Sequence, residues 1–231
     1  INNLLFNQLG VEPLGYKNKN GLYSVSSKKL KRLLCQHEVI KLILDYRGLF
    51  KVKSTFIKAL LKIDPISGRL HTSINQAVTE TGRLSSSKPN LQNIPSRTTG
   101  KRLRECFVAS SENHTLIGAD FSNIELRIMA IISQDKVMLD AYKNGIDLHS
   151  LTTSKALDLT YDYVENNREL RNIGKLINFG LIYGMSAYGL RDSLFLNAGK
   201  DYSLEQCQQF INTYFDLYQG VAKCREELVY K

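Results

Sequence analysis

The 231 residues contain no paired-cysteine motif, no long apolar run and no repeat, and each absence closes off a class of function. The four cysteines, Cys35, Cys106, Cys207 and Cys224, form no Cys-x2-Cys pair and have no His at ligand spacing. Zinc-finger and dithiol chemistry are therefore not indicated, and the thiols read as reduced core or surface groups in a reducing compartment. The longest strongly apolar stretches, such as Ile128 to Ile132, are far too short to cross a bilayer, so a soluble protein with no membrane partner is expected. No low-complexity tract interrupts the chain. The first residue is Ile, and no secretory or organellar leader is visible at either end. The expectation is a chain that begins inside a longer, non-secreted protein.

What is present is positive charge, unevenly placed. The formal net charge is +9, and between Lys17 and Lys62 there are 12 Lys and Arg against only Glu38 and Asp45. Such a segment suits a polyanion, with phosphate contacts supplying salt-sensitive affinity. A solvated helix surface explains the same run equally well.

Local patterning divides the chain into a helical start, a mixed middle and a helical end. Gly15 to Gly21 reads as a polar turn, and Ser27 through Leu44 has helical apolar spacing at Leu30, Leu33, Leu34, Ile40, Leu42 and Leu44. Asp64-Pro-Ile-Ser-Gly68 signals a turn, and Arg69 to Asn75 alternates as a strand does. Residues 81–101 are rich in Ser, Thr, Asn, Pro and Gly, as exposed loops are. Thr115 to Phe121 reads as a short apolar strand ending in a carboxylate, Asn123 to Ile132 as a helix, and the chain from Asp135 onward as almost entirely helical.

One run carries the most chemistry. In Arg171-Asn-Ile-Gly-Lys175-Leu-Ile-Asn-Phe179-Gly-Leu-Ile-Tyr183-Gly184, four functional side chains recur every fourth position. At about 100° and about 1.5 Å per residue they share one helix face roughly 18 Å long. Two cations followed by two aromatics match a triphosphate followed by a base. Taken alone, two basic residues at this spacing are usually a solvated face, and an aromatic pair is usually core. The apolar filling at Leu176, Ile177 and Phe179 favours the functional reading here.

This run resembles motif B of family A DNA polymerases. Asp120-Phe-Ser-Asn-Ile-Glu125-Leu-Arg127-Ile-Met-Ala resembles the same family's motif A, and Thr81-Gly-Arg83 through Asn90-Leu-Gln-Asn93-Ile-Pro95 resembles its primer-template contacting segment. The likeness is traceable from about Leu14 to Tyr218. It implies an α+β right-hand polymerase fragment, mostly helical with a small partial antiparallel palm sheet. Residues 1–64 would be partial thumb, 65–132 partial palm with motif A, and 133–231 fingers with motif B. It also implies template-directed nucleotidyl transfer from a dNTP to a primer 3′-hydroxyl, in the cytoplasm or a DNA-containing organelle. The partners are then primer-template DNA and dNTP substrates, and no protein partner is inferable.

Site roles follow from the same resemblance. Two Mg2+ ions are expected in the complete enzyme, with Asp120 as bridging ligand and the Phe121 carbonyl beside it. Catalytic roles fall on Asp120, Lys175 and Arg171. Arg171 and Lys175 would grip the triphosphate, Lys175 also protonating the leaving pyrophosphate, with Arg168 and Arg171 flanking a helix start that itself favours anions. Phe179 would stack near the incoming sugar and base, and Tyr183 would cap the site. Glu125 would exclude a 2′-hydroxyl, with Ser122 beside it, although Ser122-Asn-Ile-Glu125 is equally a capping box. Asp147-Leu-His149 resembles a fingers element whose His reaches the β-phosphate, whereas His37, His71 and His114 read as structural or exposed. Arg83 would read the minor groove near the primer end, Gln92 and Asn93 would meet template or primer backbone, and Lys51, Lys53 and Ser54 would meet phosphates. Gly180 would admit the base pair. Gly174, where relatives commonly carry a slightly larger small residue, would loosen its helix at a local cost of about 1 kcal/mol.

One departure from the family pattern matters. The second catalytic carboxylate lies in a later His-Asp motif, and no His follows position 149. The chain by itself is thus expected to bind DNA weakly and catalyse little. Two rivals remain open: a single-subunit RNA polymerase, against which Glu125 and Phe179 argue, and a non-catalytic basic DNA-binding module.

Overall fold

A computed structural model describes residues 1–95 and 100–229, so part of the 81–101 stretch, residues 96–99, lies outside the described residues. The chain forms two compact units, Ile1–Gly118 and Ala119–Lys231. Among the described residues they contain mostly helix and one two-stranded antiparallel sheet, the expected fold class. No helix among the described residues is long and apolar enough to cross a membrane.

The first unit begins with a π-helical turn, Leu4–Gln8, then α1 (Ser27–Arg32) and α2 (Glu38–Lys51), packed around Leu5, Val11, Leu30, Leu33 and Ile40. The helical spacing from Ser27 to Leu44 is thus two helices rather than one. His37 takes an extended conformation at the break, and its ring Nδ1 accepts the Val39 amide at 3.1 Å, capping α2. A histidine that caps a helix end replaces the orphan amide's water contact. From α2 the helix runs through a π-helical stretch, Val52–Ile57, into a short α3 (Lys58–Leu60). Asp64 closes the expected turn, its carboxylate accepting the Ser67 amide at 2.7 Å while Gly68 adopts φ +64. The alternation over Arg69 to Asn75 yields a strand only at its end, β1 (Ser73–Asn75), paired with β2 (Ser85–Ser87) so that Ile74 faces Ser86. A short α4 (Lys101–Glu105) follows.

Two local expectations fail. Thr115 to Phe121 is not a strand, and Ile117 and Phe121 are 88% and 79% exposed. An extended run becomes a strand only when a neighbour completes its hydrogen-bond ladder, and no described segment pairs with this one. The capping box at Ser122 does not form either. The residue that opens α5 (Ile124–Ser133) is Asn123, in a left-handed conformation with no side-chain cap. The helix therefore starts one residue too late for the Ser122 hydroxyl to cap it, and the Ser122 carbonyl instead accepts Nε of Arg127 at 3.0 Å.

Beyond α5 the second unit is all helix: α6 (Lys136–Lys143), α7 (Leu148–Ala156), α8 (Tyr161–Glu165), α9 (Arg168–Ile182), α10 (Ala187–Ala198), α11 (Leu204–Leu217) and α12 (Gln219–Val229). Five of these starts are capped by the side chain that precedes the helix: Asp135, Asp147, Asn167, Ser186 and Ser203. Leu126, Met138, Leu148, Ile173, Ile177 and Leu194 are among the side chains that fill the shared core. Buried Asp135 also accepts the Gly220 amide at 2.8 Å, tying the start of α6 to the start of α12.

The seam between α7 and α9 sets the geometry of this unit. Ser150, Thr152, Thr153 and Ser154 on α7 are all buried. A buried hydroxyl without a partner costs roughly 1–3 kcal/mol, so each must be satisfied locally. Thr152 and Thr153 donate back to the carbonyls of Leu148 and His149 at 2.8 and 3.0 Å, Ser154 donates to Leu151 at 2.8 Å, and Ser150 donates to Asp147 at 2.8 Å. Gly174 then lets α9 lie directly on this surface. A Cβ there would stand 2.0 Å from the His149 carbonyl oxygen and 2.4 Å from Thr153 Oγ1. The glycine tightens the seam, which corrects the expectation that it loosens the helix.

A Gly174→Ala substitution is accordingly expected to destabilise the protein despite alanine's better helix propensity. Overpacking costs about 1–3 kcal/mol, more than the roughly 1 kcal/mol of propensity gained. Urea unfolding followed by far-UV circular dichroism checks this, and an unchanged or raised midpoint contradicts it.

Candidate functional site

The candidate face is built on α9. Asn167 caps its start, accepting the amides of Glu169 and Leu170 at 3.1 and 3.2 Å, so that Arg168 and Arg171 fall in its first turns. At the other end Gly184, with φ +73, closes the helix: its amide donates to Leu181 at 3.0 Å and the Met185 amide to Gly180 at 2.9 Å. This is the six-residue closure that needs a left-handed residue just past the helix end. It leaves Tyr183 as the terminal residue, 66% exposed. Lys175 is exposed and Phe179 half-buried on the intervening turns. The Cβ position of Gly180 faces the Met185 side chain, whose sulfur would be 3.0 Å away.

Arg171 is held rather than loose. Its Nε and Nη2 meet the two carboxylate oxygens of Asp147 at 3.0 and 2.8 Å, a bidentate fork that leaves Nη1 directed elsewhere. Asp147 simultaneously caps α7 by accepting the Ser150 amide at 2.8 Å, and its own amide donates to the Tyr161 hydroxyl at 3.0 Å. Burial pushes the Asp147 carboxyl upward, but hydrogen bonds from Arg171 and Ser150 outweigh it and hold the group below the usual carboxylate range. A planar guanidinium gripped along one edge presents its remaining donors in a fixed direction.

His149 lies beside this pair on α7. It is 1% exposed, its ring 5.7 Å from the Phe179 ring at a 45° tilt. Burial lowers its pKa to about 4, helped by the charges of Arg171 and Lys175 and opposed by Asp147. The imidazole is therefore neutral at physiological pH. Asn178, on the opposite side of α9 from the solvent, contacts its Nδ1 at 2.9 Å. Asn178, Thr152 and Tyr218 form a buried polar set that sequence reasoning missed. An asparagine inside the run Leu176-Ile-Asn-Phe179 was the available signal, because a polar residue amid apolar ones in a helix needs a buried partner.

The structure thus brings His149, Arg171, Lys175 and Phe179 together. Asp120 and Phe121 lie on the exposed stretch ahead of α5, with Ser122 exposed and Glu125 half-buried at that helix's start. Among the described residues no hydrogen bond or ion pair joins Asp120 to the α9 face, and no group of three or more His, Cys, Asp or Glu is placed to hold a metal ion. The Asp120 carboxylate and the Phe121 carbonyl could supply two oxygen ligands, which is fewer than a divalent cation such as magnesium takes.

The first unit supplies the residues read as DNA contacts. Lys51 and Asn93 line one cavity of about 400 Å3 together with Thr55, Phe56 and Asn90. Asn93 is oriented by Asn90, whose Oδ1 accepts the amides of Gln92 and Asn93 at 3.1 and 3.2 Å. The Gln92 side chain folds back to the Leu84 carbonyl at 3.3 Å, and the Ser54 hydroxyl donates to the Phe50 carbonyl at 2.7 Å. Arg83 and Lys53 are exposed and lie outside that cavity's lining. His71 and His114 are exposed, and all four cysteines are unpaired.

The family model described as DNA polymerase family A matches residues 1–231. DNA polymerase I of Geobacillus stearothermophilus is similar to this chain, 38% identical over 231 residues that cover 99% of the chain and 25% of that protein. DNA polymerase I of Treponema pallidum is 42% identical over 222 residues, covering 96% and 21%. The POL domain of Pol1 from M. smegmatis, solved in complex with DNA primer-template and dNTP, matches with a TM-score of 0.80 at 37% identity, covering 96% of this chain and 38% of that one. The chain spans about a quarter of the length of the curated relatives it matches.

The buried neutral histidine has a measurable consequence. Its pKa is about 4 in the folded state against an ordinary 6.5, so the unfolded chain takes up the proton first as pH falls. The contribution of His149 to stability is complete above pH 6.5 and lost progressively between pH 6.5 and about 4. Replacing His149 with Gln should flatten that part of the stability profile by an amount on the order of 2–3 kcal/mol, measured by urea midpoints across the range. Parallel wild-type and variant profiles would contradict the assignment.

Proposed function

Because this chain belongs to DNA polymerase family A, we propose that the protein carrying it is a template-directed DNA polymerase, with this chain holding much of its nucleotide site. The observation that supports the reading most is the α9 face. Two cations, one pinned by Asp147, lead into two aromatics, with a neutral imidazole alongside. The M. smegmatis relative, solved with primer-template and dNTP, supports DNA and deoxynucleotide as the partners.

In this proposal residues 1–64 belong to the thumb, 65–132 to the palm and 133–231 to the fingers. Arg171, through the donors Asp147 leaves available, and Lys175 grip the triphosphate, while Lys175 also delivers a proton to the departing pyrophosphate. Phe179 stacks on the sugar and base, Tyr183 closes the far end, and Glu125, supported by Ser122, packs against the sugar where a 2′-hydroxyl would sit. Divalent metal, magnesium by its preference for oxygen ligands, would be held by Asp120 and the Phe121 carbonyl with substrate oxygens and water. When bound it would stabilise charge on the phosphates and activate the primer hydroxyl. The second carboxylate that such a site needs is not among these residues, so residues 1–231 alone are proposed to catalyse little. Arg83, Gln92, Asn93, Lys51, Lys53 and Ser54 serve the primer-template, Lys51 and Asn93 from a shared cavity. The compartment is a reducing one that contains DNA.

Primer extension by the full-length protein tests this. Asp120→Ala should lower the rate by at least about 10^3, the scale of several kcal/mol of charge stabilisation. Glu125→Ala should admit ribonucleotides, and Phe179→Tyr should admit dideoxynucleotides. Extension that is unaffected by Asp120→Ala would leave the chain a DNA-binding module, and equal use of rNTP and dNTP by the wild type would favour an RNA polymerase.

A further inference from the structure

We propose that Asn178 is a positioning residue that fixes the tautomer of His149, so that the imidazole meets a triphosphate oxygen of the incoming nucleotide as a neutral Nε2–H donor. The proposal rests on the polymerase reading above and deepens it, because Asn178 is completely buried and would act through His149.

The hydrogen-bond geometry settles which ring nitrogen bears the proton. One terminal atom of the Asn178 amide lies 3.3 Å from the Leu148 carbonyl oxygen and 2.9 Å from His149 Nδ1. A carbonyl can only accept, so that amide atom is the nitrogen. Facing an N–H donor, His149 Nδ1 must offer its lone pair, and the ring proton of the neutral imidazole is then on Nε2. The other end of the amide is consistent. Thr152 Oγ1 lies 2.7 Å from Asn178 Oδ1 and 2.8 Å from the Leu148 carbonyl, both acceptors, so the threonine's single hydrogen is directed toward them. The Tyr218 hydroxyl, 2.9 Å from Thr152 Oγ1, must then donate to it. Burial raises the Tyr218 pKa, which keeps that hydrogen in place. The donors therefore all point one way, from Tyr218 to Thr152 to Asn178 to His149, and such chains reinforce each bond.

The same packing prevents the ring from escaping. The Gly174 backbone sits against the His149 carbonyl, and Thr153 donates to that carbonyl at 3.0 Å. Phe179 covers the ring. Nδ1 is taken by Asn178, and among the described residues no acceptor pairs with Nε2, which leaves it the ring nitrogen available to a ligand. An N–H donor pairs most strongly with an anionic oxygen, and a triphosphate supplies such oxygens. Were the other tautomer present, Nε2 would present a lone pair to that oxygen and repel it.

The test uses the full-length protein with 15N-labelled histidine, the His149 signals being assigned by their loss in His149→Gln. Long-range 1H–15N correlation should show Nε2 protonated and Nδ1 as the lone-pair nitrogen; the reverse pattern overturns the proposal whatever the activity. Asn178→Leu should abolish that preference and raise the dNTP KM roughly tenfold, the scale of one hydrogen bond to a charged group, with kcat changed less. In the His149→Gln background the same Asn178→Leu change should add less than about twofold. A full additive loss there would mean that Asn178 only supports the fold, and the proposal fails. If Asn178→Leu does not fold, the wild-type ring shifts decide. Primer extension separates the two levels: its absence in the wild-type protein removes the polymerase reading and the phosphate role with it, while the ring shifts report the tautomer independently.

Discussion

The second unit depends on a backbone-to-backbone approach between α7 and α9. Helices normally meet through side chains, yet here the Cα of Gly174 rests where any larger residue would collide with the His149 carbonyl. Close approach without side-chain filling requires that every polar group in the seam find a partner, since water is excluded from it. The short hydroxyl side chains of α7 meet that condition by bonding to their own helix, and Asn178 meets it by bridging to His149 and Leu148. The fixed spacing then places Arg171 against Asp147 and Phe179 against His149. The geometry of the candidate face is therefore a consequence of how the buried side of the same helices is satisfied.

Charge in the cluster follows from the same packing. Two cations and one carboxylate surround a histidine that burial keeps neutral. A protonated imidazole would add a third positive charge that the seam has no acceptor for on its Nδ1 side, where Asn178 already donates. In the proposed site, an anion at this face would draw on Arg171 and Lys175 for charge and on His149 for a directed hydrogen bond.

Much of this was legible in the sequence where periodicity and end signals agree. The α9 face and a helix start near Arg168 and Arg171 follow from spacing, and the structure adds Asn167 as the cap. The largely helical chain after Asp135 follows likewise. What was not legible depends on partners distant in sequence. Thr115 to Phe121 has the composition of a strand, but composition cannot supply the neighbouring ladder. Ser122-Asn-Ile-Glu125 spells a capping box, yet the left-handed turn at Asn123 moves the helix start past it. Gly174 read locally costs helix propensity, whereas its role appears only when α7 is laid against it. Asn178 and Tyr218 stand 40 residues apart and declare their connection only through Thr152.

The central claim is that the α7–α9 pair is the surface that receives the nucleotide. Hydrogen exchange resolved by mass spectrometry, on the full-length protein bound to primer-template, tests it most directly when the dNTP matching the template is added. Slower exchange concentrated in residues 147–156 and 168–183 is the predicted result. Unchanged exchange across both helices while the protein still extends primers would contradict the account.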